Sequence, residues 1–177
     1  MDTSAVPTGV EVGVPGGCWT IDPGNSSAEF AVRNFGVNTV RGIVPIREAT
    51  VVVAQHNRIS TVHATLHLAG IDTANTKRDK DLRGRRLLDT EQFADLTFDA
   101  TDNRVTDDGW RLAGTLAAHG TTIPVTLNAT LTSGPMNGQF TVRATTRFDR
   151  RDLGIKAPRL MIGREVIVQI NAQFRAG

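Results

Sequence analysis

Tyrosine is absent from this chain of 177 residues, and aromatic residues make up only 5% of it. Few stacking platforms are therefore available for nucleic-acid bases. The near balance of 20 Lys and Arg against 18 Asp and Glu supplies no broad basic surface either, so nucleic-acid binding by the domain as a whole is not expected. Cysteine occurs once, at Cys18, which excludes an intramolecular disulfide framework and a cysteine-based metal cage. No run approaches the roughly 20 consecutive apolar residues that a membrane-spanning helix needs. The first residues, MDTSAVPTGVEVGVPGGC, have neither a basic start nor a continuous apolar stretch. They are not expected to act as a signal peptide, and the cytoplasm is the expected location. Long amphipathic helical patterns are missing as well.

What the chain has instead is alternation. Ile123, Val125, Leu127, Ala129 and Leu131 lie on one face of a stretch whose other face is Thr122, Pro124, Thr126, Asn128 and Thr130. Phe140, Val142, Ala144, Thr146 and Phe148 oppose Thr141, Arg143, Thr145 and Arg147. Val166, Val168, Ile170, Ala172 and Phe174 oppose Gln169, Asn171 and Gln173, with Ile167 out of pattern on the polar face. A period of two means strands with one dry and one wet face. With no long helix to cover the dry face, the sheet is expected to curl into a single antiparallel β-barrel of about eight strands.

Residues 1–17 lack this alternation and are expected to form a loose extension, followed by one domain over 18–177. Trp19–Ile21 and Ser27–Arg33 read as strands around the turn signal Asp22-Pro23-Gly24. Val37–Glu48 and Thr50–Ala54 read as a hairpin-like pair, and Arg58–Leu68 as the next strand. The charged stretch Asp72–Asp89 breaks the rhythm, and a short helix is expected from Asn75 to Leu88, with Thr73 or Asn75 as its N-cap. Leu82, Leu87 and Leu88 would turn it toward one barrel end as a lid.

The inward set predicted to line a pocket starts with Phe30, Val62, Leu66, Leu68, Phe98, Leu112 and Leu116. It continues through Leu127, Phe140, Val142, Val168 and Ile170, with Ala64, Gly114, Ala129 and Ala144 giving width. A filled barrel whose small residues only fit the taper would show the same pattern. If hollow, such a barrel suits hydrocarbon, because each buried methylene contributes about 0.8 kcal/mol. Roughly eight to twelve of them give about 6–10 kcal/mol before ordering costs.

Short motifs in order along the chain resemble the YceI-like family of lipocalin-like, polyisoprenoid-binding proteins. They are Trp19-Thr20-Ile21-Asp22-Pro23, Phe30-Ala31-Val32-Arg33, Val40-Arg41-Gly42, and Ile71-Asp72-Thr73 with Lys77-Arg78-Asp79 and Leu82-Arg83. Leu116-Ala117-Ala118-His119-Gly120, Arg150-Arg151-Asp152-Leu153-Gly154-Ile155 and Gly163-Arg164-Glu165-Val166 complete the set. The resemblance spans about residues 18–175. It implies a hollow lipocalin-like barrel that binds a polyisoprenoid, an isoprenoid quinone or a fatty-acid derivative for transport or storage. The family usually has histidine where this chain has Asn25 and Asn34, so no role that needs imidazole there carries over.

Other chemistry finds little support in the residues. His63 and His67 share an outward strand face but lie about 13 Å apart, too far to chelate one metal. No HExxH or His-x-His occurs, and neither a metal nor another cofactor is expected. Cys18, Ser26 and Ser27 lack the context of a nucleophile. The acids Asp79, Asp81, Asp89 and Glu91 read as part of a solvated face, or, for Asp79, as an internal partner of Arg78. Within the basic cluster, Arg78, Arg83 and Arg86 are predicted to surround the barrel rim and favour an anionic headgroup. Contact with a membrane surface would be transient at most, and outward Ile167 on an edge strand permits a homodimer. A small cyclase, isomerase or dehydratase using the barrel as a reaction chamber remains the alternative reading.

Overall fold

Strict alternation leaves every strand with a dry face to cover, and the strands cover it by closing on one another. The computed structural model describes residues 13–33, 39–156 and 163–177. Its strands are β1 (Gly17–Ile21), β2 (Ser27–Arg33), β3 (Thr39–Val44), β4 (Ile46–Val53) and β5 (Ile59–His67). After α1 (Thr76–Arg83) come β6 (Asp95–Val105), β7 (Gly109–Ala118), β8 (Thr121–Met136), β9 (Gln139–Asp149) and β10 (Glu165–Ala176). The ring runs β1–β4–β5–β6–β7–β8–β9–β10 and returns from β10 to β1, giving a closed eight-stranded antiparallel barrel.

β2 and β3 belong to the same wall. β10 pairs with β1 through residues 174–176 and with β2 through residues 166–171, so β1 and β2 are two parts of one bent strand. A 3-10 turn, Pro23–Asn25, makes the bend. Asp22 caps it, accepting the Gly24 N–H at 3.1 Å and the Asn25 amide at 2.7 Å. Ser26 Oγ then accepts the Gln173 N–H at 2.9 Å and carries the ladder across the break.

The hairpin expected from 37–48 and 50–54 is not formed. β3 and β4 meet end to end at Pro45 and pair with different neighbours, β3 with β2 and β4 with β1 and β5. Proline has no N–H to give the ladder, so the strand bends there and does not reverse at Ala49. A real reversal occurs at His119-Gly120, where φ is 53° and 72°. Two positive φ values in a two-residue loop are what a tight hairpin between right-twisted strands needs.

The two barrel ends are closed differently. At one, Trp19 meets Phe140 edge-on at 4.8 Å and Phe140 stacks on Phe174 at 5.2 Å. Val14 is buried beside them and donates its N–H to Asn57 Oδ1 at 2.9 Å, while residues 13 and 15–17 are exposed. Residues 1–12 lie outside the described residues.

The charged insertion closes the other end. Its helix ends at Arg83, short of the expected Leu88, and Gly84 begins a series of turns. At 100° per residue, Leu87 and Leu88 would lie about 140° and 240° around a continuous helix from Leu82. Stopping at Gly84 lets all three leucines pack on the barrel core. Asn75 is the N-cap, accepting the Arg78 N–H at 3.0 Å.

Candidate functional site

Two adjacent spaces lie inside the barrel, of about 100 Å³ toward Trp19 and about 110 Å³ toward the insertion. Each is several times the roughly 10–15 Å³ that one water requires. β5 lines the first with Val62, Ala64 and Leu66, β6 with Phe98, and β7 with Leu112 and Leu116. Leu127 and Ala129 follow from β8, Phe140, Val142 and Ala144 from β9, and Val168 and Ile170 from β10. The second is lined by Phe30, Leu66, Leu68 and Val168 together with Leu82, Leu87 and Leu88. Leu66, Leu96 and Val168 line both, so the two are neighbours along one axis.

Local sequence explains several of these placements. Phe30 pairs across β2–β3 with Gly42, and its ring occupies the position a Cβ on that glycine would take. Gly42 therefore lets the ring lie flat over the strand. Thr146 is the inward polar residue of β9, and its hydroxyl is spent on the Thr126 carbonyl at 2.9 Å.

One member of the expected lining is misplaced. Gly114 lines neither interior space; a Cβ there would strike the Asp99 carbonyl and Ala100 backbone of β6. It sits where the β6–β7 register shifts between Ala100 and Asp102, so its small size serves backbone approach and not cavity width.

Arg78, Arg83 and Arg86, expected around the barrel rim, line neither interior space. Arg78 gives its Nε to Thr73 Oγ1 and its Nη2 to the Thr73 carbonyl, each at 2.8 Å. Buried Asp79 accepts the Thr73 N–H at 2.9 Å and its hydroxyl at 2.5 Å. The expected Arg78–Asp79 pair is thus a shared grip on Thr73 that anchors the start of α1. The Thr73 hydrogen bonds, helped by the charges of Arg83 and Arg78, hold the Asp79 carboxyl below its usual range. Arg83 reaches the Ala69 carbonyl at 3.4 Å, and Arg86 is exposed.

The cationic side chain that does line the insertion-end space is Arg150, in the 3-10 turn Arg150–Leu153 that follows β9. It is buried, donating Nε to the Gly163 carbonyl at 2.9 Å and Nη1 to the Ile155 carbonyl at 2.7 Å. Burial pushes its pKa down. His119 lines the same space, its ring 5.0 Å from that of Phe93. Both residues fall in the family-like motifs over 116–120 and 150–155, and a motif does not say which way its side chains point.

Outside the barrel, His63 contacts Asp99 at 2.6 Å and His67 contacts Asp95 at 3.3 Å. Among the described residues, no group of three or more His, Cys, Asp or Glu is placed to hold a metal. Asn25 is committed to the Asp22 turn, and Asn34 lies outside the described residues.

Residues 19–174 match the family model of the YceI-like domain. Curated relatives include UPF0312 proteins of Yersinia pestis and Yersinia pseudotuberculosis, each 30% identical over 105 residues. The matched stretch is 59% of this chain and 55% of each relative, so the match spans about half the length of those proteins. Among solved structures, BcnA of Burkholderia cenocepacia has a TM-score of 0.75 at 15% identity, covering 86% of this chain and 98% of that one. A polyisoprenoid binding domain from Saccharophagus degradans has a TM-score of 0.68 at 15% identity, covering 90% and 98%. These structural likenesses show a common fold.

Proposed function

The chain belongs to the YceI-like domain family, and we propose that its barrel holds the hydrocarbon part of a long-chain amphiphile for transport or storage. The observation that carries this reading is the pair of neighbouring spaces inside the barrel, lined along most of their length by aliphatic and aromatic side chains. Apolar spaces of this kind favour hydrocarbon over water. The name of the Saccharophagus degradans neighbour, a polyisoprenoid binding domain, adds support for a chain of prenyl type. An isoprenoid quinone or a fatty-acid derivative meets the same requirement.

Titration with the fluorescent C18 chain of cis-parinaric acid tests the assignment. Ala129 and Ala144 face each other across β8 and β9 on the lining. An indole at either position displaces at least two methylenes of ligand, which lowers affinity by about tenfold or more. Ala129→Trp and Ala144→Trp should each lose that affinity while circular dichroism retains the β spectrum. Wild-type affinity in both folded variants would overturn the assignment.

A further inference from the structure

The barrel wall has a seam. The β8–β9 ladder runs from Met136–Gln139 to Asn128–Thr145 and stops there. Continued, it would join Leu127 to Thr146 and Thr126 to Arg147. Yet residues 121–127 of β8 stay paired with β7, and residues 146–149 of β9 stay paired with β10. The two strands part from each other alone.

Past Thr126 the sequence keeps the ladder from resuming. The Thr126 carbonyl points at β9, where it accepts the Thr146 hydroxyl. By the alternation of a strand, the backbone of Pro124 points the same way, so the ladder meets a residue with no N–H to give. Proline inside a sheet belongs at an edge, and here it makes one inside the wall.

On the outside, the parted strands floor a groove of about 640 Å³ that runs from Ala113 and Gly114 on β7 to Ile167 on β10. Ile167 is the apolar residue that breaks the polar outer face of β10. Together with Pro124 and Ala113 it gives the groove an apolar strip, flanked by Thr126, Asn128, Thr145 and Arg147. Thr146 lines the groove and the interior space as well, and buried Val125 lines the groove beside it.

We propose that this seam is a lateral port through which an alkyl or prenyl chain passes between the outer groove and the barrel interior, with Thr146 as its latch. The inference rests on the reading that such a chain occupies the interior. Among the described residues, passage between other strands of the ring breaks ladder hydrogen bonds, except where β5 and β6 part beyond Val62–Ala100. There the Asn103 side chain bridges them, donating to the Ile59 and Ser60 carbonyls at 3.2 and 3.4 Å. Passage past α1 displaces a segment anchored through Thr73 and Asp79. At the seam, one side-chain hydrogen bond yields.

Stopped-flow fluorescence with cis-parinaric acid tests the port. Thr146→Val removes the latch bond and should raise the association and dissociation rate constants by on the order of fivefold, the factor for one ordinary hydrogen bond. Thr146→Ser, which keeps the hydroxyl, should retain wild-type rates. Ala113→Trp crowds the outer groove without touching the interior. It should slow both rate constants by about tenfold, the effect of a modest steric cost on a barrier, and leave the Kd unchanged. Wild-type rates in both Thr146→Val and Ala113→Trp, with binding still weakened by Ala144→Trp, would overturn the port and leave the interior assignment standing. Wild-type affinity in Ala144→Trp would overturn both.

Discussion

Asp149 and Arg150 are neighbours in the chain with opposite fates. Asp149 takes the Arg151 guanidinium through Nε at 3.0 Å and Nη2 at 2.6 Å, and also accepts the Arg151 N–H at 2.9 Å. These bonds hold its pKa down at about 2. A carboxyl depressed in the folded state adds stability that is complete above its unfolded value, near 3.8, and fades as pH falls toward 2. Asp149→Asn should therefore be less stable than wild type at pH 7 in urea unfolding, and the two should converge between pH 4 and pH 2. A gap that stays constant over that range would contradict this. Arg150, by contrast, is buried, and no local pattern foretells it. A charged residue reads as surface until the carbonyls of Ile155 and Gly163, brought in by the fold, are there to receive it. Pro124 was the legible signal that went unused: proline within an alternating run marks a strand edge, and here it marks the seam.

Among the elements, β5 and β8 to β10 were the easiest to read, because period-two alternation fixes both their conformation and their buried face. The bends at Asn25 and Pro45 were harder. Each splits one strand in two, and only long-range pairing with β10, β1 and β2 shows that the halves belong together. The insertion was legible as a lid by its leucines, but not in its length, since the helix ends where packing of Leu87 and Leu88 requires it to. Its anchor gives a direct prediction. Asp79→Ala leaves the Thr73 N–H buried without its acceptor, a loss of about 1–3 kcal/mol. Hydrogen exchange should quicken across residues 76–93 while the β9–β10 ladder stays protected. Equal acceleration in both regions would show that the insertion does not open on its own.

For the whole molecule, closure follows from arithmetic the sequence already contains: many half-dry strands, few aromatics, and no long helix to cover a sheet. Whether the closed barrel is hollow did not follow, because small inward residues suit a filled taper and a cavity alike. Gly114 shows the ambiguity at a single position, being small for backbone approach, while Ala129 and Ala144 are small beside open space. The seam and the buried Arg150 depend on how the ring closes, and no stretch of sequence carries that information alone. The central claim is that this interior holds a long hydrocarbon chain. It is tested most directly by mass spectrometry of the organic extract of the protein purified without detergent from its native host, against a buffer blank. The expected result is a long-chain amphiphile in stoichiometric amount, depleted in the Ala144→Trp protein prepared in parallel. An extract identical to the blank, from wild-type protein that also fails to take up cis-parinaric acid, would contradict it.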